Sequence, residues 1–353
     1  MKKYALIALA LTAAAPAPAP SPNEIVAAAP AKDWVAIAPA DVLVMTLAPD
    51  AKGKARRVVI QLMPPPFSQG WIGNIRKLAA AHWWDGTSVN RVQDNYVAQW
   101  GDVTEKKALP EGLVTVPEKN YELSVFDMMP TKFIPIDPSH RFDNTEDESA
   151  TPPVTKSAKQ PTSIDELAAS LDAKISDVGR KIALSRMGDS FAPIVGFSKS
   201  FPFAHSIPVG RSEPTVWPIH CYGMVGVGRN LSPDTGSGAE LYAVIGHAPR
   251  HLDRNIALVG RVIEGIENLS SLPRGTEALG FYKTAEERVP ILRVRLATEL
   301  PAAEQPRFQY LSTENASFAT YADARANRRD PFFIKPAGGA DICNIPVPVR
   351  RAP

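Results

Sequence analysis

The sequence predicts a mainly β fold with a few short helices. Three segments, 33–47, 55–63 and 291–297, alternate apolar and other residues with a period of two, as half-buried strands do. Turn residues at 49–53 separate the first two, and Pro64-Pro65-Pro66 ends the second. The 34 prolines favour extended connections over helical packing. A chain of 353 residues has room for about two domains.

The first 20 residues have the pattern of a secretory signal peptide. Met1-Lys2-Lys3 is a charged start, residues 4–12 are a short apolar core, and Ala13-Ala14-Ala15 is a small-residue cleavage region. This core is shorter than a membrane span of about 20 residues, and no later stretch is apolar enough to be one. We therefore expect export to a bacterial periplasm or beyond, with residues 21–32 as an Ala/Pro-rich linker. The alternative is a cytoplasmic protein with a chance Ala-rich start.

Charge and motif spacing argue against several classes of function. A net charge of +2 gives no basic surface for nucleic acid. His247 and His251 have zinc-ligand spacing only on a helix, and Pro249 between them opposes one. Gly226-Val227-Gly228 is too short for a dinucleotide fingerprint, and the segment around Ser198 lacks the final glycine of a nucleophile elbow. No metal or cofactor is expected.

Residues 85–102 read as a hairpin that presents polar groups among apolar ones. The turn Asp85-Gly86 opens an extended run, Gln93-Asp94-Asn95 interrupts it, and a second run follows. Period-two alternation can place four side chains on one concave surface: Val89, Arg91, Tyr96 or Val97, and Gln99. A guanidinium and an amide framed by apolar groups suit a neutral substrate such as a peptide. Taken alone, the pattern fits equally an ordinary hairpin whose Arg91 pairs with Asp94 or Asp102.

The hairpin resembles the catalytic hairpin of the cyclophilins, the peptidyl-prolyl cis-trans isomerases. The matching residues are Val89-Asn90-Arg91, Tyr96-Val97, Gln99 and Trp100-Gly101-Asp102, preceded by Asn74–Leu78 and by Trp83-Trp84-Asp85-Gly86. A second block is similar to the pocket strands of the same family. It comprises Gly223–Arg229, Gly238–Val244, His251-Leu252-Asp253 and Leu258–Gly265. The order and internal spacing of both blocks fit the family.

The resemblance implies a closed eight-stranded antiparallel barrel capped by two helices. Residues 33–102 and 221–299 would form the barrel, with the capping helices at 71–81 and 263–272. Residues 103–220 then form a large insert, which contains a helix opened by the capping box Ser163–Glu166 and an apolar return at 191–203. Whether this insert gates the pocket or only packs beside it stays open.

The C-terminal part adds a closing strand and an extension. Alternation in 291–297 predicts that Leu292, Val294 and Leu296 face the core. The extension, residues 300–353, is predicted to hold a short strand at 308–310, a helix at 317–327 and an extended tail from 330. In an oxidising compartment Cys221 and Cys343 can form one disulfide between this tail and the barrel. Two buried thiols are the alternative.

The resemblance also implies a function and its residues. It predicts an isomerase of X–Pro bonds in envelope polypeptides, with Arg91 and Gln99 as catalytic residues. The substrate-binding residues would be Tyr96, Val97, Gly228, Glu240, Tyr242, His251 and Leu252. Several positions depart from the family: Asn90 replaces a histidine and Glu240 a glutamine, and Tyr242, Ile256 and His251 stand for a pocket phenylalanine, histidine and tryptophan. These departures favour weak or altered activity, or alternatively a non-catalytic proline-peptide binder or chaperone-like protein.

Overall fold

A computed structural model describes residues 18–124, 187–206 and 214–352. Most of the predicted signal peptide, residues 1–20, lies outside these ranges. So do the loop expected at 137–161 and the insert helix expected to begin at Ser163. Among the described residues, no helix is both long enough and apolar enough to cross a bilayer.

The described residues form four α-helices and seventeen strands. The helices are α1 (Pro22–Ala28), α2 (Gln69–Ala80), α3 (Glu267–Ser270) and α4 (Ala316–Ala326). The strands in chain order are β1 (Trp34–Ala36), β2 (Val42–Leu47), β3 (Arg56–Leu62), β4 (Ser88–Val92), β5 (Val97–Gly101), β6 (Leu123–Ser124), β7 (Met187–Gly188), β8 (Ile194–Ser198), β9 (Phe201–His205), β10 (Thr215–Pro218), β11 (Met224–Val227), β12 (Leu241–Val244), β13 (Leu258–Glu264), β14 (Val289–Leu296), β15 (Phe308–Leu311), β16 (Ala340–Asp341) and β17 (Val349–Arg351).

Eight of these strands close into a barrel, which confirms the predicted fold class. Their order is β11-β12-β5-β4-β14-β2-β3-β13, with β13 returning to β11, and every pair is antiparallel. The interior holds fully buried side chains from the wall, such as Leu43, Met45 and Ile60. Helix α2 plugs one end, because Trp71 and Ile75 bury their side chains in the same core.

The second capping helix is much shorter than predicted. We expected residues 263–272 to be helical, but Ile263 and Glu264 continue strand β13, and only Glu267–Ser270 is helical. Gly265 separates the two elements with a φ of +85°, a conformation that favours glycine. Leu269 still buries its side chain in the barrel core. The position of the cap was therefore predicted, while its length was not.

Strand β14 departs from the alternation that its sequence suggested. A β-bulge lies between Ile291 and Arg293, where the register with β2 shifts by a residue. As a result Ile291 and Val294 are buried, while Leu292 is 51% exposed. The prediction that Leu292 faces the core is therefore wrong, because alternation assumes an unbroken ladder.

The C-terminal extension covers the outside of the barrel. Strands β1, β15 and β17 form a sheet in the order β1-β15-β17. Phe308 of β15 packs with Val42, Val44 and Val59, which point outward from the barrel wall. Both faces of β2 are therefore buried, and its sequence is almost continuously apolar.

Residues 21–32, which we expected to be an Ala/Pro-rich linker, contain a short helix. Helix α1 begins at Pro22 after a capping box in which the Ser21 and Glu24 side chains each bond the other's backbone amide. Ile25 and Val26 pack on a small core that includes Trp34 and Phe318. The sequence carried the signal, a capping box followed by two apolar residues, but its Ala/Pro content obscured it.

The described part of the insert is docked on the barrel. Strands β6, β10, β9 and β8 form a four-stranded sheet in that order. The Phe203 ring stacks on Phe67 at a centroid distance of 4.2 Å, and Ser200 hydrogen-bonds the side chain of Gln61. As expected, the apolar stretch 191–203 returns to the barrel.

Cys221 and Cys343 are joined by a disulfide, with their Cα atoms 5.1 Å apart. The bond ties the C-terminal extension to the segment just before β11. We expect alkylation without reductant, followed by mass measurement, to find neither thiol labelled, and both labelled after reduction. Labelling of both thiols before reduction would contradict the bond and favour two buried thiols.

Candidate active site

Arg91 and Gln99 face each other across the hairpin of β4 and β5. A bulge between Val89 and Arg91 shifts the register, so that Arg91 lies directly opposite Gln99. The Arg91 Nη1 donates a hydrogen bond to the Gln99 Oε1 at 3.1 Å. The predicted pair of site residues is therefore in direct contact.

The guanidinium of Arg91 is held in place on several sides. Its Nε donates to the carbonyl oxygen of Leu279 at 2.7 Å, and its Nη2 donates to the side chain of Gln93. It also lies over the rings of Tyr96 and Phe281, at 5.7 and 5.4 Å from their centroids. Partial burial lowers the pKa of Arg91, but an arginine stays charged.

Neither aspartate that we considered as an ordinary partner binds Arg91. Asp94 accepts a hydrogen bond from Arg274, and Asp102 accepts from the backbone amides of Thr104, Lys106 and Lys107. Among the residues that the structure describes, Arg91 forms no ion pair with a carboxylate. Its charge is therefore fixed in position without being neutralised by a contact.

Glu240 occupies the other side of Gln99. Burial raises the pKa of Glu240 to about 7. Hydrogen bonds from the Asp102 amide and from the side chains of Gln99 and Asn90 act in the opposite direction and lower it, but by less. The carboxyl lies against Gly101, where a Cβ would come within 1.8 Å of it. Gly228 is close to both Glu240 and the Gln99 amide nitrogen. Arg91, Gln99 and Glu240 thus form a row from a fixed cation to a titratable carboxyl.

This row borders a cavity of about 480 Å³. The predicted residues Gln99, Gly228 and Glu240 all line it, as do Asn90 and Phe281. In the described part of the chain, no group of three or more His, Cys, Asp or Glu residues could hold a metal ion.

The predicted apolar residues form a cluster beside Arg91, which we call the apolar seat. It consists of Val97, Tyr242 and Val244, with Tyr96, Leu252 and Ile256 packed against them. The His251 ring stacks on Tyr96 with centroids 6.0 Å apart. Because Arg91 lies over the same Tyr96 ring, the seat and the polar row adjoin. The structure thus brings all nine predicted catalytic and substrate-binding residues into one continuous site.

A charged donor beside an apolar cluster can bind a neutral, partly apolar group and stabilise electron density that develops next to it. A family model described as "Cyclophilin type peptidyl-prolyl cis-trans isomerase/CLD" matches residues 71–296 of the chain. The chain belongs to the cyclophilin family.

One solved structure shares the overall fold of this cyclophilin. A cyclophilin from Hirschia baltica, AquaCyp293, superposes with a TM-score of 0.58 at 18% identity, covering 90% of this chain and 93% of that chain. A cyclophilin type peptidyl-prolyl cis-trans isomerase from Cryptosporidium parvum, crystallised in the presence of dipeptide ala-pro, gives a TM-score of 0.34 at 10% identity, covering 72% of this chain and 97% of that chain. A search of curated proteins found no match.

Sequence reasoning missed several contacts that shape the site of this cyclophilin. Phe281 and the Leu279 carbonyl reach Arg91 from a segment 188 residues away along the chain. Nothing in the local sequence marks that segment as part of the site. Gln93 could have been found, because it follows Arg91 by two residues on the same hairpin.

Proposed function

We propose that this protein catalyses cis–trans isomerisation of X–Pro bonds in polypeptides of a bacterial envelope. The observation that carries the proposal is the Arg91 guanidinium, fixed at the border of the apolar seat with no carboxylate contact among the described residues. The signal-peptide pattern of residues 1–20 supports the location.

The reaction requires little more than a fixed donor. Rotation about the amide bond crosses a barrier of roughly 20 kcal/mol because the amide is conjugated. Uncatalysed exchange takes tens to hundreds of seconds. In the transition state the amide is twisted, and the prolyl nitrogen becomes pyramidal and basic. A donor aimed at that nitrogen binds the twisted form better than either planar form, and such differential binding is catalysis.

Arg91 has the donors that this role needs. A guanidinium carries five N–H groups, and three of those of Arg91 bond Leu279, Gln99 and Gln93 within the described chain. As far as the described residues go, the other two N–H groups are open to a substrate. The three existing bonds hold the planar group in one orientation, so little conformational entropy is lost when the substrate binds.

The neighbouring residues supply binding rather than chemistry. The apolar seat would take the proline ring, with Tyr96, Val97, Tyr242 and Leu252 around it and His251 behind Tyr96. Gln99 would hold a backbone group of the substrate from its position between Arg91 and Glu240. The adjoining cavity, lined by Gly228 and Glu240, would accept the chain on one side of the proline.

A non-catalytic proline-peptide binder is the second candidate. Two observations favour it: a carboxyl at Glu240 where the family has glutamine, and the cover that Leu279 and Phe281 place over Arg91. Either feature weakens the field that Arg91 exerts on a bound amide.

A protease-coupled assay on a proline tetrapeptide separates the two candidates. We expect the wild-type protein to accelerate cis-to-trans conversion in proportion to its concentration. The same peptide is titrated against the protein and followed by intrinsic fluorescence. Binding without any acceleration would refute the isomerase and establish the binder.

A further inference from the structure

A second row, separate from that of Arg91, Gln99 and Glu240, joins the insert to the apolar seat. It consists of buried hydrogen bonds. The Tyr242 hydroxyl donates to the His220 Nε2 at 2.9 Å, and the His220 Nδ1 donates to the Asp253 Oδ1 at 2.8 Å. The other oxygen of Asp253 accepts from the Arg250 Nε at 2.7 Å. The Arg250 guanidinium then donates to both carboxylate oxygens of Asp189, which belongs to the insert. All five side chains are buried.

The directions of these bonds follow from the chemistry of the groups. Burial opposes ionisation of Asp253, but its bonds to His220 and Arg250 outweigh that effect and lower its pKa. An ionised carboxylate only accepts hydrogen bonds, so the His220 Nδ1 carries the proton. Complete burial lowers the pKa of His220, which is therefore neutral, and its bare Nε2 accepts the Tyr242 hydroxyl.

The row contacts two parts of the apolar seat, which we call its floor and its wall. Tyr242 is the floor, and its ring lies across Gly226, where a Cβ would come within 2.3 Å of the ring. Arg250 and Asp253 flank His251 and Leu252, which form the wall.

Besides His220, which bonds Asp253, two residues of the insert contact Arg250 beside this wall. Asp189 makes the two hydrogen bonds to Arg250, and the Phe191 ring lies over the same guanidinium at 4.9 Å. Removing the charge of Asp189 would leave Arg250 buried with a single carboxylate partner, which is costly unless the turn shifts.

We infer that Asp189 is a positioning residue: through Arg250, Asp253 and His220 it sets the placement of Tyr242 and of the wall residues that bind proline. The insert thus controls the shape of the seat instead of only packing beside the barrel. This inference rests on the proposed function for its substrate. It assigns Asp189 no contact with the substrate itself.

Asp189→Asn and Tyr242→Phe, singly and together, test the inference. We expect each single variant to raise KM for a proline tetrapeptide about fivefold, with kcat changed less than about twofold. The dissociation constant from fluorescence titration should rise in parallel. Because both residues act through one row, the KM of the double variant should not exceed the higher of the two single-variant KM values. Wild-type KM in both single variants, whatever their Tm, would show that the row serves stability alone.

Two further variants keep the test decisive if Asp189→Asn does not fold. Phe191 is 65% exposed, so Phe191→Ala removes a contact to Arg250 without burying an unpaired charge, and we expect KM to rise about twofold. An unchanged KM in both Phe191→Ala and Tyr242→Phe would overturn the inference. Glu304→Gln, at an exposed ion pair with Arg293, is the matched control and should leave KM unchanged.

The binding measurement distinguishes this inference from the proposed function. A wild-type protein that binds the tetrapeptide without turnover refutes the isomerase, while the dissociation constants of the variants still test the row. A wild-type protein that turns over normally, beside variants with unchanged KM, refutes only the inference.

Discussion

Replacing Arg91 with alanine is expected to lower kcat/KM for X–Pro isomerisation by about 10² to 10³-fold. Removing one preorganised donor from a site that stabilises developing charge has an effect of that size. The donor matters mainly in the twisted state, so kcat should fall more than KM rises. The measurement is a protease-coupled assay over a range of peptide concentrations.

The controls separate chemistry from folding. Arg91→Lys keeps the charge but loses the planar fork that binds Leu279, Gln99 and Gln93, so we expect an intermediate loss. Arg274→Ala removes an exposed arginine that pairs with Asp94 of the same hairpin, and its activity should match the wild type. Equal rates for Arg91→Ala and wild type, at equal Tm, would refute the catalytic role of Arg91.

Several strands of the barrel and the pairing of Arg91 with Gln99 could be predicted because both depend on local patterns. Strands β2, β3 and the hairpin of β4 and β5 carry period-two alternation and turn residues in their own sequence. The family resemblance then supplied the closure of the barrel, which no single segment encodes. Arg91 and Gln99 lie on one hairpin, so their proximity needed no knowledge of the rest of the chain.

What could not be predicted depends on residues that meet only after folding. Leu292 is exposed because a bulge interrupts β14, and bulges leave no clear mark on alternation. The Leu279 carbonyl and the Phe281 ring reach Arg91 from the segment before β14. His220 was not recognised as part of the site because its partners, Tyr242 and Asp253, lie 22 and 33 residues away. Helix α1 is different, because its capping box is visible in the sequence. The Ala/Pro-rich composition of residues 21–32 led us to predict a linker there instead.

Glu240 makes the stability of this cyclophilin depend on pH near neutrality. Burial raises the pKa of Glu240 in the folded protein to about 7, from the ordinary value of 4.5 that it has in the unfolded chain. Between these values the folded protein keeps a proton that the unfolded chain has released. The free energy of unfolding therefore falls as pH rises through this window, in total by about 3 kcal/mol from this group. Below pH 4.5 both states are protonated, and the group contributes no difference.

Glu240→Gln should remove this pH dependence, because an amide does not titrate. We compare the free energy of unfolding of the variant and the wild type by urea denaturation at pH 4.5 and pH 8. The free energy of unfolding of the variant minus that of the wild type should increase by about 3 kcal/mol from pH 4.5 to pH 8. A constant effect of the substitution does not alter this change. Glu304→Gln, at its exposed pair with Arg293, should show no such change. A constant difference for Glu240→Gln would mean that the carboxyl is already ionised at pH 4.5, so that its bonds from Gln99, Asn90 and the Asp102 amide outweigh its burial.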